Sequence, residues 1–260
     1  MKSQEIKQAI LEGLRPFAEA NGFRIDENRF GIFREKPDHT SSIDFLCYTS
    51  ENGAEIYPYV NIEFPVIHDI CRQYGFYLNY TAYMNMFVLE IIKAYNYPAH
   101  IDTQPEWLKK FVWHRDLETK MSFALGNRLT LISDADECKR LRKEYKDAKE
   151  QIIHTDSGWV KRCNKRIGAL LPYALDYIRN LGSMESIDRL YNGRPITWNP
   201  SDTSREAGCI VGLIAARLAH NPRYDEIKDT LLSIMTHDRL NINEDIRQSF
   251  LRVADYLDGM

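Results

Sequence analysis

The chain lacks the features that would mark a membrane or secreted protein. No apolar run approaches the roughly 18 residues needed to span a bilayer, and the N-terminal stretch MKSQEIKQAILEGLRPF mixes charges with apolar residues instead of carrying the uninterrupted core of a signal peptide. The expected location is the cytoplasm. No sign of charge dominates: 34 Lys and Arg stand against 37 Asp and Glu, a net charge of −3 with a pI near 6.2. There is therefore no global field to hold phosphates or anionic lipid, and nucleic acid and membrane surfaces are disfavoured partners.

Cysteine is sparse and scattered. Cys47, Cys71, Cys138, Cys163 and Cys209 form no C-x-x-C pair and have no histidine at a zinc-ligand spacing. They read as small buried hydrophobes, with no metal and no cofactor expected. The chain also lacks a phosphate-binding glycine loop, a dinucleotide fingerprint, an H-E-x-x-H and a G-x-S-x-G, which removes the reaction classes with the most legible motifs.

What is present is 260 residues of ordinary globular composition, 44% hydrophobic and 27% charged, enough for one large core or two modest ones. Ile6, Ile10, Leu14, Phe17 and Ala18 recur at helical steps, so a helix is expected over residues 3–20, stopped by Asn21-Gly22. The period then becomes near-alternating through Phe23 and Ile25, Phe30 and Ile32, Ile43 to Cys47, and Ile56 to Phe64. Turn formers separate these runs, which predicts an antiparallel meander with its apolar face against the first helix. A buried helix is expected over residues 80–95, a helix near Trp107 to Trp113, and a strand near Leu129.

From Ser133 the pattern is almost wholly helical. Ser133 and Asp136 suggest a capping box for a helix through Cys138, Leu141, Tyr145, Ala148 and Ile152. A second helix runs through Ile167 to Leu181 with Pro172 in its first turns, and Ser183 caps a short third. A Pro/Gly/Asn-rich loop over residues 192–204 precedes helices near 205–219, 224–235 and 243–258, with Asn221-Pro222 making a sharp turn. The small residues of the first of these predict a central position. The expected fold is α+β: an N-terminal helix on an antiparallel β-meander (residues 1–132), then a mostly helical half (133–260) packed with it as one unit.

Candidate chemistry is thin. His114-Arg115-Asp116 has the kinase triplet without its partner motifs, and the His68-Asp69 and His237-Asp238 neighbours cannot aim at one atom from a regular element. Glu63 and Glu90 have no partner nameable from spacing. Between Lys139 and Arg166 there are ten Lys or Arg against four Asp or Glu. Lys139, Arg140, Arg142, Lys143, Lys161, Arg162, Lys165 and Arg166 form a candidate basic patch near Tyr145 and Trp159, suited to nucleic acid or an acidic partner. The i,i+4 pairs Lys143/Asp147 and Lys146/Glu150 favour a solvated face instead. The aromatic stretch offers Tyr57, Tyr59, Trp107 and Trp113 as candidate partner-binding residues, since Tyr and Trp give large contact area at low entropy cost, although such rings equally fill cores.

The order Asn21-Gly22-Phe23, Phe30-Gly31-Ile32-Phe33-Arg34, the strand from Ile43 to Tyr48, Val60-Asn61-Ile62, Leu171-Pro172-Tyr173 and the run from Ala216 to Tyr224 resembles a family of uncharacterised bacterial domains of unknown function. The resemblance implies a helix-flanked antiparallel sheet without established catalysis, akin to immunity proteins that neutralise toxins. It implies a non-enzymatic protein-binding role; the scattered His and carboxylates leave a hydrolase or nucleic-acid-processing enzyme as an alternative, and the basic stretch from Lys139 to Arg166 a nucleic-acid binder.

Overall fold

The computed structural model describes residues 3–94, 127–192, 205–236 and 242–260, and the fold is α+β. Helix α1 (Ser3–Asn21) buries Ile6, Ile10, Leu14 and Ala18 of the expected stripe, together with Leu11. Gly22 ends it in the left-handed region (φ 69°), and the Phe23 N–H then donates to the Ala18 carbonyl at 2.8 Å.

Strands β1 (Arg24–Asp26), β2 (Gly31–Glu35), β3 (Thr40–Ser50) and β4 (Gly53–Glu63) form the expected meander. β3 and β4 pair over their full length, from Thr40↔Glu63 to Ser50↔Gly53. The outer edge of β4 is shared. Its first half pairs with β6 (Leu129–Ile132) and its second with β5 (Ala82–Asn85). Pro58, which has no N–H for a ladder, lies between Ile56, opposite Leu129, and Tyr59, opposite Asn85. β7 (Ile152–His154) adds to β6 in parallel, so the seven strands run β1-β2-β3-β4-β6-β7 with β5 beside β4.

Helix α2 (Pro65–Gln73) follows β4 and α3 (Met86–Ala94) follows β5. Then come α4 (Ala135–Glu144), a 3-10 turn (Lys146–Gln151) and α5 (Trp159–Asn180). The chain ends with α6 (Met184–Asn192), α7 (Arg205–Leu218), α8 (Tyr224–Met235) and α9 (Glu244–Asp258).

Two large apolar clusters result. One joins α1, one face of the sheet, α3 and α5; the other wraps α6, α8, α9 and α2 around α7, whose residues from Ala207 to Ala216 are all buried. The small-residue helix is therefore central, as its composition predicts. Tyr177 of α5 packs against both clusters. The expected boundary at 132/133 falls inside shared structure, because β7 extends the sheet and Ile153, Cys163 and Ile167 belong to its core.

Several local expectations are corrected. Residues 82–85 form β5 instead of opening a helix: pairing with the free half of β4 outweighs local helical spacing. The Asn85 Oδ1 then accepts from the Phe87 N–H at 2.9 Å and starts α3. The first helix of the second half stops at Glu144, because Ile152 is drawn into the sheet beside Thr130, and Lys146 and Glu150 fall in a 3-10 turn where i,i+4 geometry does not hold. Asp134, not Ser133, caps it, accepting from the Glu137 N–H at 2.7 Å. α5 starts at Trp159, which leaves Pro172 mid-helix and exposed; Gly168, whose carbonyl loses its partner there, has open space around it. At the turn after α7 the left-handed residue is His220 (φ 52°), one before Asn221.

Candidate functional site

The pleat of β3 and β4 sorts side chains onto two faces. Ile43, Phe45, Ile56 and Val60 point into the core with α1 and α5. The opposite face carries Ser42, Asp44, Leu46 and Tyr48 from β3, Glu55, Tyr57, Tyr59 and Asn61 from β4, and Tyr83 and Asn85 from β5, as the register places them.

At one end of this face the aromatic rings meet in pairs. Tyr48 packs edge-on against Tyr57 with centroids 5.7 Å apart, and Tyr59 against Tyr83 at 6.0 Å; Tyr83 continues to Tyr80 at 5.9 Å. Arg128 lies over the Tyr57 ring at 5.6 Å and pairs with Glu55 at 3.0 Å, while the Tyr57 hydroxyl donates to the same carboxylate at 2.9 Å. Burial and this carboxylate push the Tyr57 hydroxyl up to about 12, so it stays a donor through the neutral range. Leu46 and Tyr48 are 49% and 60% exposed, whereas Tyr57, Tyr59 and Tyr83 are half-buried.

At the other end the face holds a buried polar knot. Ser42 Oγ donates to Asp44 Oδ2 at 2.8 Å and Asn61 Nδ2 donates to the same oxygen at 2.7 Å, with all three residues buried. Gly31 sits opposite Asp44, and a Cβ there would meet Asp44 Oδ1 at 2.4 Å, so the close approach needs glycine. Burial pushes the Asp44 carboxyl up to about 6 despite its two donors and nearby Arg29. Arg29 is itself paired with Glu63 at 3.0 Å, which supplies the partner that spacing could not name.

Asp69 pairs with Arg72 on α2, not with its neighbour His68, whose Nε2 is buried without a partner and whose ring is held below its usual pKa by burial. The groove of about 640 Å³ between the β2–β3 turn and α2 is lined by Pro37, Asp38, Phe64, Val66, Met184 and Met260 among others, and it lies away from the Asp44 knot. Among the described residues no group of three His, Cys, Asp or Glu could hold a metal ion. The five cysteines are free, four of them buried.

Of the expected partner-binding residues, Tyr57 and Tyr59 share this face; Trp107 and Trp113 lie outside the described residues, as do His114-Arg115-Asp116 and His237-Asp238. The basic patch divides. Arg140 is paired with Glu137 and Glu144, Arg162 with Asp156, and Arg166 with Glu90, while Arg142 donates to the Ile152 carbonyl. Lys139, Lys143, Lys161 and Lys165 are exposed, but they sit on α4 and α5, two helices separated by a strand. Sequence reasoning did not pick out Ser42, Asp44 and Asn61. Their signal was present as polar residues at alternate positions of otherwise apolar strands, which marks the non-core face.

No family model, curated protein or solved structure matches this chain. No helix among the described residues is long and apolar enough to cross a membrane.

Proposed function

We propose that the chain is a non-enzymatic protein-binding protein that uses the tyrosine-bearing sheet face as its contact surface, in the manner of an immunity-type inhibitor covering a toxin. The observation that carries this reading is the segregation of the sheet. Helices pack on one face, while the other presents Tyr48, Tyr57 and Tyr59 with Leu46 and a braced Arg128. Tyrosine and arginine held by neighbours lose little side-chain freedom on contact, which is why they dominate binding hot spots.

The test is capture of partners from native lysate by the tagged chain and by a Tyr57→Ala/Tyr59→Ala variant of unchanged circular dichroism. A single stoichiometric protein retained by the wild type, with affinity at least tenfold weaker for the variant, supports the reading. Equal retention by the variant, or recovery of salt-released nucleic acid alone, overturns it. The nucleic-acid alternative draws less support, because a groove for phosphates needs uncommitted cations and Arg140, Arg162 and Arg166 are in ion pairs.

A further inference from the structure

The segment Leu46-Cys47-Tyr48-Thr49-Ser50 contains no charge and no proline, two of the devices with which edge strands prevent pairing. It forms the far arm of β3. β2 pairs only with Thr40 to Asp44, and the Phe45 N–H makes the last bond on that side, to the Phe30 carbonyl at 3.0 Å. There the chain turns away. The Asp26 carboxylate gathers the Asn28 and Arg29 N–H groups into a tight turn, and Phe30 takes a left-handed backbone (φ 53°) that peels β1 and β2 off the arm. Among the described residues no strand flanks the arm on its outer side, while β4 pairs with all of it on the inner side.

Because bonding alternates along an antiparallel strand, the Phe45 bond fixes the pattern: Cys47 and Thr49 turn their N–H and C=O groups to the open edge. Leu46 and Tyr48, two of the five exposed large hydrophobics among the described residues, stand on the same side of the sheet along this arm.

We propose that this arm is the pairing edge for a second copy of the same chain, forming a two-fold dimer with residues 46–50 antiparallel to their own copy and Tyr48 on the axis. In that register Cys47 and Thr49 of one chain exchange main-chain bonds with Thr49 and Cys47 of the other. The two Tyr48 residues form a closely spaced non-bonded pair, with their rings side by side. Charge placement selects a copy of the chain running antiparallel. One end of the arm carries Lys7, which lies over the Phe30 ring at 5.5 Å, and the other carries Glu51 at the exposed turn. The two-fold brings each Glu51 level with the partner's Phe30 end. The uncharged middle meets itself without repulsion. Five residues a side make a small interface, so association is weak and concentration-dependent. The arm borders the tyrosine face and shares Leu46 and Tyr48 with it, but the pairing itself runs through the backbone of Cys47 and Thr49.

Sedimentation velocity of the full chain from about 1 to 200 µM tests it, the range being that of small, transient interfaces. A reversible monomer–dimer shift is expected. Thr49→Pro removes an outward N–H that the monomer does not use, and Tyr48→Lys sets two cations on the axis; each raises the dimer Kd at least tenfold with unchanged circular dichroism. If Thr49→Pro fails to fold, Tyr48→Lys carries the test alone. Tyr48→Cys in a Cys47→Ser background forms an interchain disulfide on oxidation, since Cα atoms of such a pair lie within bridging distance. A monomer at every concentration, or a dimer that both substitutions leave untouched, overturns the proposal.

Discussion

Replacing Asp44 with asparagine raises stability, and by an amount that depends on pH. Asp44 is 9% exposed, and burial lifts its carboxyl pKa from 3.8 to about 6 in the folded chain. Between those values the folded state binds more protons than the unfolded one, so unfolding free energy falls as pH rises; below the lower value the two states bind alike, and above the higher one the full penalty is present. Two pKa units correspond to about 3 kcal/mol at pH 8, of which about half remains at pH 5. Asparagine has no such ionisation, and it fits the site. With its carbonyl oxygen in the place of Oδ2, the introduced amide still accepts from Ser42 Oγ and Asn61 Nδ2. Asp44→Asn is thus expected to exceed the wild type by about 3 kcal/mol at pH 8 and by about 1.5 kcal/mol at pH 5. Urea denaturation followed by far-UV circular dichroism at both pH values, with unchanged m-values, measures this. An advantage independent of pH, or a variant less stable at pH 8, would refute the assignment of a buried, costly carboxylate.

Three further substitutions probe the packing. Arg166→Ala removes a two-pronged ion pair with Glu90 and a guanidinium 5.0 Å from the centre of the Phe87 ring, joining α5 to α3 with side chains 12% and 26% exposed. It should cost about 2–4 kcal/mol in chemical denaturation, with Arg166→Lys recovering less than half. Gly53→Ala should cost more than about 3 kcal/mol, because Gly53 has φ 154° and a Cβ would stand 1.8 Å from the Leu131 carbonyl oxygen; soluble yield and Tm report it. Tyr177→Phe should raise stability by about 1 kcal/mol, since its hydroxyl is fully buried with no bonding partner, and an unchanged Tm would count against that.

The local code of this chain is legible wherever one element decides its own fate. The apolar stripe of α1 and its Gly22 stop, the alternation of β2 to β4 and the three closing helices α7 to α9 follow from side-chain period and caps, which act over four residues or fewer. Ser183 caps α6 as its type suggests, accepting from the Ser186 N–H at 3.3 Å. The sequence also placed Tyr57 and Tyr59 two residues apart, which on any strand puts them on one face.

What only tertiary structure decided are the long-range pairings. Residues 82–85 and 152–154 have helical neighbours and become strands because β4 and β6 offer unpaired edges, a gain invisible to local spacing. The partners of Glu63 and Glu90 stand 34 and 76 residues away, at Arg29 and Arg166, so no short-range pattern could name them. Asp44 reads as an ordinary strand-face carboxylate until the fold buries it with Ser42 and Asn61, because burial is a property of everything packed around a residue and not of the residue itself.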